Sequence, residues 1–327
     1  MIIADMPLEQ LQQYRPPQTK QPDFGAFWKR TLDEALSQPL NEDLEPIPTY
    51  PVPEVEVFRA SFDGFRAGRC VAWYLRPRDI GFDASLPALV FYHGYSGNKG
   101  MPHNYLMWAL QGYAVLALDV RGQSGESNDG IIYPEGHISG WMTQGIMDPE
   151  TYYYRGVYMD CVRAAELVAA QPEVDARRMG AAGVSQGGGL TLAAAALSGR
   201  FALAMPEVPY LCHFRRALEM AQQDPYLELS RYFRVYPERE EQAFRTLSYF
   251  DNLNLADRIT CPVLMTVGLL DLICPPSTIY ATFNHIKSEK KMCVYPYHGH
   301  EVPDNHAEEQ MRWANRILRG IEPGNEK

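Results

Sequence analysis

The sequence has no pair of cysteines spaced as CxxC, and its six cysteines, Cys70, Cys161, Cys212, Cys261, Cys274 and Cys293, are scattered through apolar and loop stretches. That scatter excludes a zinc-ribbon pattern and a redox dithiol, leaving buried packing as the expected role. Cys274, in ICPPS, lacks the basic neighbour that would activate a thiol, so it is read the same way. Positive charge is also short: 30 Lys and Arg against 40 Asp and Glu leave a net charge of -10. Nucleic acid and anionic membrane surfaces need a basic face, so neither is expected as a partner. No apolar run approaches membrane-spanning length, and MIIADMPLEQLQQYRPPQ has neither the basic start nor the apolar core of a secretory signal. A cytoplasmic protein is the expectation. Neither G-x-x-x-x-G-K-S/T nor G-x-G-x-x-G occurs, and no His or Cys spacing matches a metal site, so neither cofactor nor metal is expected.

What is present describes a folded body. With 327 residues, 46% hydrophobic and 21% charged, the chain suits one large domain over 1–327 better than two α/β domains. Residues 1–50 read as an N-terminal extension with a helix over FGAFWKRTLDEALSQ, where Phe24, Phe27, Trp28, Leu32 and Leu36 recur at helical spacing. VEVFRASFDGFRAGRCVAWYLRP reads as two antiparallel strands turning at Asp63-Gly64. Beyond it, apolar strands such as LPALVFYHG, YAVLALDVRG, RRMGAAGVS and CPVLMTVGL alternate with helical stretches. That rhythm predicts an α/β fold: a mostly parallel sheet with helices on both faces. Two segments interrupt it: a long loop over 125–150, longer than a connection needs, and a helical cap insertion over 209–250. The tail EPGNEK is expected to fray.

Within RRMGAAGVSQGGGLTLAAAALS, Ser185 stands at a sharp turn between strand and helix, the setting of a G-x-S-x-G nucleophile. Side chains at Gly183 and Gly187 would collide with the neighbouring strand and helix. The turn also presents the Gln186 amide at a helix N-terminus, where negative charge is stabilised. A serine hydroxyl needs a base, and the base needs a carboxylate to orient it. After Ser185, the strand CPVLMTVGL ends at Asp271, and the strand KMCVYPY runs into His298-Gly299-His300. Asp251 and Asp257 precede that strand, so chain order favours Asp271; the residues alone leave His298 and His300 open, with His213, His285 and His306 in helical or cap contexts. The loop after LVFYHG nominates the Tyr95 amide as the second oxyanion donor, with the Tyr95 ring as a pocket wall.

MPLEQLQQYRP, YHGY, RGQ (121–123), GWMTQGIMDPETYYYRGVYMD, GVSQGGG, PYLCHFRRA, RTLSYFDNLNLADR, GLLDLICPPST and GHE (299–301) together resemble the acetyl xylan esterase and cephalosporin C deacetylase family, carbohydrate esterase family 7 of the α/β-hydrolases. The resemblance spans most of the chain. It implies Ser185 as nucleophile, Asp271 as triad acid, His300 as general base, and the Tyr95 and Gln186 amides as the oxyanion pair. It implies pocket or supporting roles for Arg121, Pro209, Tyr210 and Glu301 as well. Small acetylated carbohydrates are the implied substrates and a cytosolic homohexamer the implied assembly, with the 125–150 loop helping to build it. Two stretches depart from the family pattern, RGQSGES and SGNKG, both bordering the expected pocket. The alternatives are a carboxylesterase or peptidase of other specificity, and a non-catalytic carbohydrate-binding protein on the same fold.

Overall fold

A computed structural model describes residues 5–66, 68–81 and 85–321. The tail over 322–327, expected to fray, lies outside the described residues. Among the described residues, nine strands form one sheet: β1 Asp43–Pro46, β2 Val55–Asp63, β3 Arg69–Pro77, β4 Leu86–Tyr92, β5 Ala114–Leu118, β6 Val174–Val184, β7 Leu203–Glu207, β8 Val263–Gly268 and β9 Lys290–Tyr295. Their spatial order is β1-β2-β3-β5-β4-β6-β7-β8-β9. Strands β1, β2 and β3 pair antiparallel and β3 meets β5 antiparallel, whereas β5, β4, β6, β7, β8 and β9 run parallel. The α/β fold read from the alternation is the one observed.

Burial on both faces explains the unbroken apolar strands: every residue of β5 and β8 is buried. The chain leaves β4 toward β5 on one side and later toward β6 on the other, which opens a crevice at the carboxyl ends of these strands. Candidate residues gather there. β4 leads to Tyr95, β6 to Ser185, β8 to Asp271 and β9 to His300.

Local readings fared unevenly. The β2–β3 connection is a loop from Gly64 to Gly68, closed by the Gly64 amide on the Gly68 carbonyl at 2.8 Å, and is longer than a two-residue turn. Its glycines have a reason in the fold, because a Cβ on Gly68 would meet the Arg121 guanidinium at 2.8 Å. The helix Phe24–Ser37 forms, but its buried face is Phe24, Phe27, Trp28, Thr31 and Ala35. Leu36, expected on that face, is 51% exposed, because the helix rotates it away from the stripe that Thr31 and Ala35 complete. This segment docks through Trp28, whose indole N–H donates to the Tyr249 carbonyl at 3.1 Å, and through the Lys20–Asp257 pair at 2.7 Å. Between β7 and β8 lie the helices Phe214–Met220, Leu227–Val235 and Glu240–Phe250. Five cysteines are buried and Cys293 is partly so; all are free thiols. Among the described residues, no helix is long and apolar enough to cross a membrane.

Candidate active site

Ser185 sits between β6 and the helix Gln186–Leu197 with φ 58° and ψ -116°, a conformation that side chains rarely adopt. Its surroundings enforce it. The Ser185 amide donates to the Glu207 carbonyl at 2.9 Å, and its carbonyl accepts from the Gly189 and Tyr210 amides at 3.0 and 2.9 Å. The turn can pass this close to its neighbours only without Cβ atoms: one on Gly183 would lie 2.5 Å from the Tyr92 carbonyl oxygen, and one on Gly187 2.0 Å from the same atom. Gly188 and Gly189 meet the same limit against the backbones of Glu207 and Tyr210.

The Ser185 Oγ lies 2.8 Å from His300 Nε2, and His300 Nδ1 lies 2.7 Å from Asp271 Oδ2. Asp271 is buried, and its other oxygen accepts the Ile273 and Cys274 amides at 2.8 Å each. With that oxygen occupied by two amides, Oδ2 is left to receive the Nδ1–H, which assigns Nε2 as the acceptor for the serine hydroxyl. The His300 loop is fixed by the Leu270 amide on the His298 carbonyl at 2.9 Å and by the Gly299 amide on Glu301 Oε1 at 3.0 Å. Geometry thereby separates the two histidines: His300 joins Ser185 to Asp271, while the His298 ring packs against Tyr295 at 5.6 Å. The other candidates are engaged elsewhere. Asp251 accepts the His213, Phe214 and Leu253 amides, and burial pushes its carboxyl up to about 6. Asp257 pairs with Lys20, His285 with the Pro16 carbonyl, and His306 with the Tyr295 hydroxyl.

Gly94 brings the loop after β4 beside the serine: a Cβ built on it lies 4.0 Å from Ser185 Cβ. Among the described residues, no acceptor is found for the amides of Tyr95 or Gln186, the two nominated oxyanion donors. Both are held by side chains that sequence reasoning missed. Gln123 and Gln186 exchange amide hydrogen bonds at 2.9 and 3.1 Å, and the Tyr154 hydroxyl donates to Gln186 Oε1 at 2.9 Å. Gln123 Oε1 also accepts the Ser96 amide at 2.9 Å, so one side chain secures both loops. His93 Nε2 accepts the Val120 amide at 2.9 Å, which fixes the proton on Nδ1 and ties the ends of β4 and β5. The unusual stretches interlock as well. Lys99 of SGNKG is buried and binds Asp119 and Glu126, both at 2.6 Å, and the Ser124 hydroxyl donates to the Ser96 carbonyl at 2.6 Å.

Arg121 lies fully buried, bidentate to Asp160 at 2.5 and 2.6 Å and donating to the Phe65 carbonyl at 2.9 Å, so its side chain is engaged with Asp160 and Phe65. Pro209 and Tyr210 are buried, with the Tyr210 ring 5.9 Å from that of Tyr95. Glu301 is exposed and acts on the turn through Gly299.

Glu207, whose carbonyl holds the Ser185 amide, is a half-buried acid that sequence reasoning passed over. Burial pushes its carboxyl from 4.5 up to about 7, with Gln310 Nε2 donating to it at 2.7 Å. Because the folded state holds this proton more tightly, its contribution favours folding below the unfolded value and is lost as pH rises toward 7. Glu207→Gln keeps an acceptor for Gln310 and removes the charge. Melting curves should therefore coincide with wild type near about pH 4 and lie above it near about pH 8. A variant melting lower at the higher pH would contradict this.

The parallel sheet, the strand-turn-helix serine and its crevice define an α/β-hydrolase. The chain belongs to the acetyl xylan esterase (AXE1) family, whose model matches residues 1–317, and with its relatives it is a carboxylic ester hydrolase. It is similar to the acetyl xylan esterase from Paenibacillus sp. R4, with 46% identity and a TM-score of 0.94 over 96% of this chain and 100% of that one. Acetyl xylan esterase 1 from Thermoanaerobacterium sp. JW/SL YS485 shares 37% identity and a TM-score of 0.91, covering 96% of this chain and 99% of that one. The acetyl esterase Axe7A of Xylanibacter ruminicola is 29% identical over 311 residues, 93% of this chain and 69% of that protein. An acylaminoacyl peptidase from Pyrococcus horikoshii, 17% identical with a TM-score of 0.59 over 94% of this chain and 45% of that one, shares the fold.

Proposed function

We propose that the chain is a serine esterase that removes acetyl groups from acetylated xylo-oligosaccharides and other small acetyl esters, cephalosporin C among them. The observation that carries this reading is the unbroken hydrogen-bond chain from Ser185 Oγ through His300 to Asp271. Ser185 attacks the ester carbonyl while His300 Nε2 takes its proton, and Asp271 steadies the imidazolium. The Tyr95 and Gln186 amides receive the charge on the carbonyl oxygen. His300 then returns its proton to the departing sugar hydroxyl, which leaves an acetyl-enzyme. Water deprotonated by His300 attacks that ester and the same amides hold the second oxyanion; the bond to Ser185 Oγ then breaks, His300 returns the proton to Oγ, and acetate is released. These steps call on no metal or cofactor. A cytoplasmic homohexamer, in which the 125–150 loop contributes to assembly, is the setting that the family resemblance supports.

Hydrolysis of 4-nitrophenyl esters of increasing acyl length tests the reading, with Ser185→Ala run beside wild type. Acetate should be cleaved fastest, and the variant should lose about 10⁶ in kcat. Preference for long acyl chains would overturn the acetyl assignment, and an active alanine variant would overturn the nucleophile.

A further inference from the structure

Glu228 lies on the helix Leu227–Val235, between β7 and β8, and is 3% exposed. Its Oε1 accepts the Tyr95 hydroxyl at 2.7 Å and its Oε2 accepts the Met142 amide at 3.0 Å. The Tyr95 oxygen in turn accepts the Trp141 amide at 2.6 Å. One carboxylate thus joins three segments that are far apart in sequence: the loop after β4, the 125–150 loop and the cap. The fit is close, since a Cβ on Gly140 would lie 2.1 Å from Glu228 Oε1. Among the described residues Glu228 has no cationic partner; Arg231, on the same helix, pairs with Asp224 at 2.8 Å. A buried carboxylate without a cation is costly, and an apolar side chain would fill the space at less cost.

We propose that Glu228 is a positioning residue for the deacetylation above: by gripping the Tyr95 hydroxyl it holds the Tyr95 backbone amide at the height of the oxyanion. The inference rests on the serine-esterase reading and adds to it the element that sets one donor.

The grip acts at both ends of Tyr95. On the backbone side, Ser96 is pinned to Gln123 at 2.9 Å with φ 57°. On the side-chain side, the ring stands edge-on to Trp141 at 5.3 Å and to Tyr210 at 5.9 Å, and the hydroxyl reaches the Glu228 carboxylate. Releasing that hydroxyl frees the ring to turn, and the amide turns with it. The ionised carboxylate suits the place, because its two oxygens meet two donors; a proton on either oxygen displaces one of them. The other groups facing Glu228 are Tyr152, Tyr154 and Tyr210, with Asp224 and Arg231 on the cap side. Burial pushes the Glu228 carboxyl up to about 7, so the grip weakens as pH falls through neutrality.

The test is steady-state hydrolysis of 4-nitrophenyl acetate by wild type, Glu228→Ala, Glu228→Gln, Tyr95→Phe and the Glu228→Ala/Tyr95→Phe double variant. Oxyanion donors act on the transition state, so Glu228→Ala should lower kcat about 10- to 100-fold and leave KM within about threefold. Glu228→Gln restores part of the loss, since its amide oxygen accepts the Tyr95 hydroxyl while its NH₂ faces the Met142 amide. The double variant should be little worse than Tyr95→Phe, because both changes cut the same link. The acid limb of kcat should lose one ionisation in Glu228→Gln. Full kcat in folded Glu228→Ala, or losses that multiply in the double variant, would overturn the proposal. Should Glu228→Ala fail to fold, Glu228→Gln and Tyr95→Phe, which keep the volume, decide it by their rates and pH profiles. A wild type without esterase activity overturns the serine-esterase reading and this proposal with it; an active wild type with unchanged variants overturns this proposal alone.

Discussion

Asp271→Asn should lower kcat for acetyl esters by about 10⁴ while leaving the protein folded and KM little changed. The asparagine oxygen still accepts the Ile273 and Cys274 amides now bound at 2.8 Å each, so the loop keeps its shape. Its NH₂, however, replaces the oxygen that now faces His300 Nδ1 at 2.7 Å. Two donors cannot share that contact, and the imidazole responds by moving its proton to Nε2. Nε2 then has no lone pair for the serine hydroxyl 2.8 Å away. The measurement is kcat and KM for 4-nitrophenyl acetate beside a thermal melt. A loss under about tenfold would show that His300 does not depend on Asp271 for its tautomer.

The second large effect is on folding. Gly187→Ala should cost more than about 3 kcal/mol or prevent soluble expression. The new methyl would lie 2.0 Å from the Tyr92 carbonyl oxygen, 2.7 Å from the Tyr92 carbonyl carbon and 3.3 Å from that of His93. These are backbone atoms at the end of β4, so no rotamer change relieves the contact. Relief requires the Gln186–Leu197 helix to move off the sheet, carrying Ser185 away from the loop that bears Tyr95. Gly25→Ala is the matched control. Gly25 lies in the helix Phe24–Ser37 with nothing within 4 Å of the added Cβ, so there the same change should stabilise by about 0.5–1 kcal/mol. Comparable melting temperatures for the two variants would refute the steric account.

The pattern of strands and the serine turn were legible because each follows from local rules. Apolar runs such as ALV and AVLAL leave little choice but a sheet covered on both faces, and Ser185 among glycines at a strand end announces a strained turn. The choice between His298 and His300 was not legible from the residues, because two positions apart on one loop differ only in direction; family resemblance made it. The edge strand Asp43–Pro46 escaped notice because it is short, acidic and mostly exposed, without the alternation that marks a half-buried strand. Leu36 misled because five apolar residues at helical spacing define more than one stripe, and the partner surface selects among them. The side-chain roles of Gln123, Gln186 and Glu228 carry no local signal, although motifs drew attention to the backbone at Gln186 and to RGQ. Their roles arise from contacts across 63 residues in the glutamine pair and 133 between Tyr95 and Glu228, which periodicity cannot register.

The bridge that Lys99 makes to Asp119 and Glu126, beside the Ser96–Ser124 bond, bears on how these loops can be exchanged with those of a relative. The two loops depart from the family pattern separately, yet they share one buried ammonium and its counter-charges. A chimera that takes only the first loop leaves Asp119 buried without its cation, and one that takes only the second alters what Lys99 meets. The loops are therefore a single transplantable module. Grafting them together keeps the buried ammonium and its carboxylates matched.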